Sequence, residues 1–222
     1  MSMTKGNDPA KSLYVIGAGG HAREINSYVK DLVCAGWDGS LKGYLDDELA
    51  PGIHGGMNVL GPLSYNPTEE EACYIVAIGS NSARRDVVAR MTAKFGPDRR
   101  AWTLVHPRAY IGADVEIGEG TCVAPSAIVT ANVRIGRHSI VNVKASVSHD
   151  CQVGDFVNIN PAATVCGWVT IGEGAFIGAG ATVKDRVSVG AWSLIGAGAV
   201  VVTDIPPNVT AIGVPARVVE RK

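Results

Sequence analysis

From Val105 onward the chain keeps a single period. Counted in sixes, every block up to residue 206 opens on Val or Ile: Val105, Ile111, Ile117, Val123, Val129, Ile135, Val141, Val147, Val153, Ile159, Val165, Ile171, Ile177, Val183, Val189, Ile195 and Val201. That makes seventeen blocks without a slip, in a stretch that holds 28 Val and Ile residues. Random placement would put only about five of them in any one register. A second register, four residues later, takes small or β-branched residues, from Ala109, Val115, Thr121 and Ala127 through Ala145, Cys151 and Ala163 to Ala199 and Ile205. It lies two positions before the next Val or Ile, so both registers face one side of a short strand. Gly follows the Val or Ile at Gly112, Gly118, Gly136, Gly154, Gly172, Gly178, Gly190 and Gly196. It is expected to permit the tight turn after each strand. One block cannot bury its own apolar face, but stacked blocks can. The pattern therefore predicts a parallel β-helix over 105–206 and leaves its handedness open.

Upstream the pattern changes. Leu13-Tyr14-Val15-Ile16 is a continuous apolar run of the kind that suits a strand covered on both faces. After it come Gly17-Ala18-Gly19-Gly20-His21-Ala22 and a helical spacing of Ile25, Val29, Leu32 and Val33. Leu41–Leu45 reads as a second strand, ending at Asp46-Asp47. Residues 50–67 read mostly as loop, with a short strand at Met57–Leu60. Tyr74–Ile78 is a third buried strand, ended by Gly79. Ser80 or Asn81 is placed to cap a helix carrying Val87, Val88 and Met91. This order predicts a small Rossmann-like parallel α/β sheet over 12–104. Residues 1–11 are polar and read as a disordered tail. Residues 207–222 form a C-terminal tail past the break at Pro206-Pro207.

Composition narrows the function. The formal net charge is −1 with 18% charged residues, and Lys and Arg are scattered, so neither nucleic acid nor a membrane surface is an expected partner. No run is long and apolar enough to span a bilayer, and the start lacks an apolar signal core. Five cysteines without a CxxC pair fit reduced thiols, and the expected location is cytoplasmic.

Three features carry candidate chemistry. The Gly17–Ala22 loop, opening a helix straight after a strand, is a phosphate-cradling arrangement; Asp46 at the end of the second strand suits a ribose hydroxyl. A dinucleotide cofactor is the usual reading. Some 90 residues are short for two mononucleotide halves, however, and no hydride-transfer constellation accompanies the loop. A single nucleotide or nucleotide-sugar fits better, with a plain tight turn as the alternative. His21 either caps or contacts the ligand. The second feature is His149, at an outward corner position with Asp150 directly after it. A neutral imidazole beside a carboxylate is suited to general-base work; the alternative is a surface corner. His106 and His138 sit in the same repeat without an adjacent acid. The third possibility, a metal, is disfavoured because His106, His138 and His149 lack a close pair. Cys151 falls in an inward register and reads as structural rather than nucleophilic.

Taken in order, Ile16–Ala22, Asp46-Asp47, Ala77-Ile78-Gly79, the hexapeptide blocks with Ser148-His149-Asp150, and Gly213-Val214-Pro215-Ala216-Arg217 resemble the sugar O- and N-acetyltransferases of the sialic-acid and bacillosamine-pathway type. The resemblance covers residues 12–217. It implies a left-handed β-helix and a homotrimer that transfers acetyl from acetyl-CoA to a nucleotide-linked sugar, without metal, in surface-polysaccharide biosynthesis. It places the base on His149 and its orienting acid on Asp150. It puts the thioester-carbonyl donor on the Gly167 N–H, and acetyl-CoA contacts on Gly167, Ala179, Ala197, Pro215 and Arg217. Nucleotide-sugar contacts fall on Gly17, Ala18, Gly19, Gly20, His21, Asp46, Asp47 and Gly79. Asn158 stands where some relatives carry a second histidine, and is expected to hydrogen-bond the acceptor sugar. N-acetylation of an amino-deoxysugar is the leading expectation. The alternatives are a sugar O-acetyltransferase, a non-catalytic nucleotide-sugar-binding trimer and, more weakly, an NAD-dependent enzyme.

Overall fold

The computed structural model describes residues 12–67, 72–95 and 100–219. The tail expected over 1–11 and the last three residues lie outside this range. Five strands and two helices form the first unit: β1 (Ser12–Ile16), α1 (Gly20–Cys34), β2 (Ser40–Leu45), β3 (Gly52–His54), β4 (Met57–Gly61), β5 (Ala72–Val76) and α2 (Asn81–Phe95). The sheet order is β3-β4-β2-β1-β5. β1 lies between β2 and β5 and runs parallel to both, which explains its unbroken apolar run: all five of its residues are buried. β4 is the short strand expected at Met57–Leu60, and β3 pairs antiparallel with it, a partner the loop-like composition of 50–67 concealed. In α1 the core face is Ala22, Ile25, Tyr28, Val29 and Leu32. Val33, expected on that face, is 51% exposed, because one residue past Leu32 the helix has turned about 100° from the buried stripe.

Seventeen two-residue strands follow at a stride of six, β6 (Leu104–Val105) to β22 (Val200–Val201), each ending on the Val or Ile of its block. Each strand pairs in parallel with the strand one coil above, as Val129 does with Val147 and Val147 with Val165. Three blocks therefore close one coil. The strands sort into three sheets: sheet I (β7 to β22 by threes), sheet II (β8 to β20) and sheet III (β6 to β21). The result is a left-handed triangular β-helix. Val and Ile fill its interior together with the small register, where Ala127, Ala145, Cys151, Ala163 and Ala175 are fully buried.

The corners differ from expectation. The residue in the left-handed region is the fourth of each block, at every corner from Asp114 to Gly198, and it includes Asn132, His138, Asp150, Phe156, Trp168 and Arg186. The Gly after the Val or Ile does not supply the turn by positive φ. It is needed because the next coil lies directly above: a Cβ on Gly136 would come within 2.5 Å of the Asp155 backbone nitrogen.

The coil also runs on past Val201. Ile205, counted above in the small register, bridges Val189 instead, two residues short of the regular stride. β23 (Thr210–Ile212) then pairs with β21, and β24 (Arg217–Val219) closes the edge antiparallel to it. The two units share a core in which Leu13, Val15, Tyr28 and Ile75 meet Trp102, Leu104, Cys122 and Ala124.

Candidate active site

The corner between β13 (Ser146–Val147, sheet I) and β14 (Gln152–Val153, sheet II) carries His149 and Asp150. The Asp150 backbone enters the left-handed region at φ 59°, which swings its carboxylate back toward the preceding residue. On a strand, adjacent side chains would point apart. Here His149 Nδ1 and Asp150 Oδ2 lie 2.8 Å apart. Asp150 Oδ1 accepts a 2.6 Å bond from the Asn132 amide one coil below. These two bonds, the histidine first, hold the Asp150 carboxyl below the usual carboxylate range. An ionised Asp150 accepts a hydrogen bond from the Nδ1–H, and that assignment leaves Nε2 as the free basic nitrogen.

Above the imidazole lies the next coil. A Cβ on Gly167 would sit 2.7 Å from His149 Cε1 and 2.9 Å from Nε2, so only Gly leaves room for the ring. Trp168 packs edge-on against the imidazole, centroids 4.4 Å apart, and its backbone N–H donates to the His149 carbonyl at 3.0 Å. Arg186, one coil higher again, stacks 4.2 Å from the Trp168 ring. Asn132, Trp168 and Arg186 were not singled out from the sequence. The signal was present: each stands a whole coil, or two, from its neighbour in the stack.

The other two histidines in the repeat have partners of different kinds. His106 is buried and bonds Asp31 of α1 through Nε2 at 3.0 Å. His138 is buried against Phe156, and burial, with Arg84 nearby, pushes its pKa down to about 4. Cys151 is buried as its register requires, and burial pushes its thiol up to about 11.

The glycine loop lines an open cavity of about 350 Å³ together with His21, Asp46, Asp47 and Gly79. All eight residues of the loop and acidic turn named above, Gly17, Ala18, Gly19, Gly20, His21, Asp46, Asp47 and Gly79, are in its wall. α1 begins at Gly20 with no side chain capping it, so its N-terminal amides face the cavity. Glu24 holds His21 through Nδ1 at 2.8 Å. Asp46 accepts from the Ala18 and Glu48 backbone nitrogens, tying the loop to the end of β2. Arg90 bonds Asp47 at 2.6 Å and, with the Leu63 N–H, lowers its pKa. Arg90, Leu63 and Val87 also line the wall, and nothing in the sequence pattern marked them as ligand contacts.

Asn158, expected to hydrogen-bond the acceptor sugar, has protein partners in this structure. It lies on β15 (Asn158–Ile159), 4% exposed, with both amide atoms engaged: Oδ1 accepts from Arg84 at 2.6 Å and Nδ2 donates to the Gly79 carbonyl at 2.7 Å. Its polar atoms face the α/β unit rather than the His149 corner.

The acetyl-CoA candidates divide between edges. Gly167 shares the edge between sheets I and II with His149. Ala179 and Ala197 are exposed on the edge between sheets III and I, one above the other, with the Gly198 N–H bonding the Ala179 carbonyl. Pro215 follows a cis peptide, and the Ala216 N–H ties this tail to Val200 of sheet I. Arg217 opens β24 and is exposed. The cavity adjoins the third edge, where α2 docks. One chain therefore keeps His149, the tail and the cavity on three separate edges. Among the described residues no cluster of His, Cys, Asp and Glu is arranged to hold a metal, and no helix is long and apolar enough to cross a membrane.

Comparison with known proteins follows the same division. Residues 12–91 match the PglD N-terminal domain, and 150–185 and 169–203 match the bacterial transferase hexapeptide repeat. The acetyltransferase domain of PglB from Neisseria gonorrhoeae is 34% identical with a TM-score of 0.86, over 94% of this chain and 100% of that one. Its complex with acetyl coenzyme A gives 35% identity and a TM-score of 0.83 over 94% and 99%. A mutant of perosamine N-acetyltransferase from Caulobacter crescentus, in complex with CoA and GDP-perosamine, is 31% identical with a TM-score of 0.86 over 95% and 97%. No curated protein sequence gives a significant match.

Proposed function

The chain belongs to the hexapeptide-repeat sugar acetyltransferases, and from that premise we propose that it transfers acetyl from acetyl-CoA to the amino group of a nucleotide-linked amino-deoxysugar, with His149 as general base. The observation that carries the mechanism is the exposed imidazole held at Nδ1 by Asp150 at 2.8 Å, beside Gly167. The sugar amine attacks the thioester carbonyl, and His149 Nε2 takes the proton released from nitrogen. The Gly167 N–H, which makes no hydrogen bond among the described residues, receives the developing oxyanion. When the tetrahedral adduct collapses, the C–S bond breaks and the imidazolium returns the proton to the CoA sulfur. Asp150 keeps the imidazole in one tautomer and offsets its charge during the step.

The glycine-loop cavity holds the nucleotide-sugar. Two of its features suit a diphosphate: a helix N-terminus without a side-chain cap, and glycines that let the backbone approach. Gly167, Ala179, Ala197, Pro215 and Arg217 hold acetyl-CoA. Because these groups stand on three edges of one triangular prism, a homotrimer completes the site by bringing edges of neighbouring copies together. Thiol release from acetyl-CoA, measured against a panel of nucleotide-linked amino sugars and their hydroxyl counterparts, tests this. Turnover confined to amino sugars supports it; turnover of hydroxyl sugars alone overturns it.

A further inference from the structure

Among the described residues Arg84 is the largest fully buried side chain, at 1% exposure, and none of their carboxylates pairs with it. It sits on the inner side of α2 and spends its guanidinium on neutral acceptors from both units. Nε donates to the His138 carbonyl at 2.8 Å. Nη2 donates to the Phe156 carbonyl at 3.1 Å and to Asn158 Oδ1 at 2.6 Å. Nη1 donates to the Ile78 carbonyl at 2.7 Å and the Gly79 carbonyl at 3.3 Å. Asn158 adds a second bond to Gly79, from Nδ2 at 2.7 Å. A buried cation of this kind is costly unless each donor is matched, and here the matches are all in one place. Two corners stacked one coil apart on one edge of the β-helix are joined to two residues that line the cavity, Ile78 and Gly79.

The consequence lies in the peptide planes. In a trans peptide the C=O and N–H point in opposite directions. With the Ile78 and Gly79 carbonyls drawn toward Arg84 and Asn158, the Gly79 and Ser80 N–H groups are turned away from the β-helix. We propose that Arg84 and Asn158 act as positioning residues for the nucleotide-sugar: they fix the Ile78–Gly79 backbone so that its amides face the ligand, and they hold the cavity in register with the β-helix. This rests on reading the cavity as the nucleotide-sugar site.

Steady-state kinetics on the full-length protein with both substrates varied tests it. Asn158→Ala should raise KM for the nucleotide-sugar by about tenfold, leaving KM for acetyl-CoA and kcat within about twofold. Arg84→Met should do the same more severely, and Arg84→Lys, which keeps the charge and part of the bonding, should recover part of the loss. The Arg84→Met and Asn158→Ala effects should be non-additive, since both act on one peptide. Gly19→Leu separates the two readings: it fills the cavity from the opposite wall, where an added Cβ meets nothing within 4 Å. If Gly19→Leu raises the nucleotide-sugar KM and Asn158→Ala does not, the positioning role is wrong and the cavity assignment stands. If neither moves it, the cavity assignment falls and the positioning role with it. Equal losses for both substrates in Asn158→Ala would show a general structural role and also overturn the proposal.

Discussion

His138 stands at a corner between sheets II and III beneath α2, and His149 at a corner between sheets I and II with 48% of its side chain exposed. The two belong to one repeat, in the blocks opened by Ile135 and Val147 with one block between them, and both blocks keep the apolar register. At the covered corner, burial disfavours the imidazolium and the ring stacks on Phe156 with Nδ1 unbonded. At the open corner, Asp150 supplies an acceptor, Trp168 a wall, and Gly167 the space in which the ring sits. A repeat of this kind makes every corner backbone nearly alike, so the chemistry at a corner is decided by what lies over it and by the side chains one coil above and below.

Four variants break or sharpen that contrast. His149→Ala should retain fold and ligand binding while kcat falls by ~10² to 10⁴, the usual loss of a general base; retention of most of the wild-type kcat in a purified, folded variant ends the assignment. Gly167→Ala places a methyl against the imidazole, and should cost kcat about 10² by displacing the base and the oxyanion donor together. A crystal structure of that variant with His149 unmoved and activity intact would remove Gly167 from the account. Asp150→Asn leaves the base in place and removes only its orienting charge, so a loss of about tenfold is expected; a variant slower than His149→Ala would reverse the two roles.

His138→Phe, the fourth, should leave turnover unchanged and alter stability alone. Unfolded, the imidazole protonates near its ordinary 6.5; folded, it resists until about 4. Between those values the unfolded chain binds more protons, so stability falls as pH drops from 6.5 toward 4 and then levels off. The effect is at most about 3 kcal/mol. Phe keeps the stack on Phe156 and removes the titration. Urea denaturation at a series of pH values should therefore show a flatter acid slope in the variant; an unchanged slope would place the sensitivity elsewhere.

The architecture was legible because its energetics are local and repeated. Seventeen Val or Ile residues at one stride, with small residues two positions before them, leave few ways to bury apolar surface, and the strands end where the period says. The corner glycines were legible as a pattern but not in cause, since the close approach of the next coil is a contact between residues eighteen apart, not a property of the turn. β4 was legible as the short strand at Met57–Leu60, but its partner β3 was hidden because its Gly-rich composition is that of a loop, and strand pairing, not propensity, makes it a strand.

At the candidate site, the pair His149-Asp150 and the loop Gly17–His21 are contiguous in sequence, and their chemistry can be read from adjacency. Asn132, Trp168 and Arg186 join the His149-Asp150 corner only through the stacking of coils, and Arg90 and Leu63 reach the cavity only through the packing of α2 and the loop after β4. Asn158 shows the limit most clearly. Its register announces an outward side chain on sheet III, but whether that side chain meets a sugar or a protein group depends on where the α/β unit docks. Burial decided it: once Arg84 is enclosed between the two units, its guanidinium must find acceptors there, and Asn158 is one of them. The sequence alone therefore determined the coil, its registers and the exposed His-Asp corner, because these follow from short-range sterics and apolar burial. Only the tertiary structure decided which corners are covered and which polar side chains serve the seam between the two units, because those choices depend on long-range packing and on the cost of leaving a buried charge unbonded.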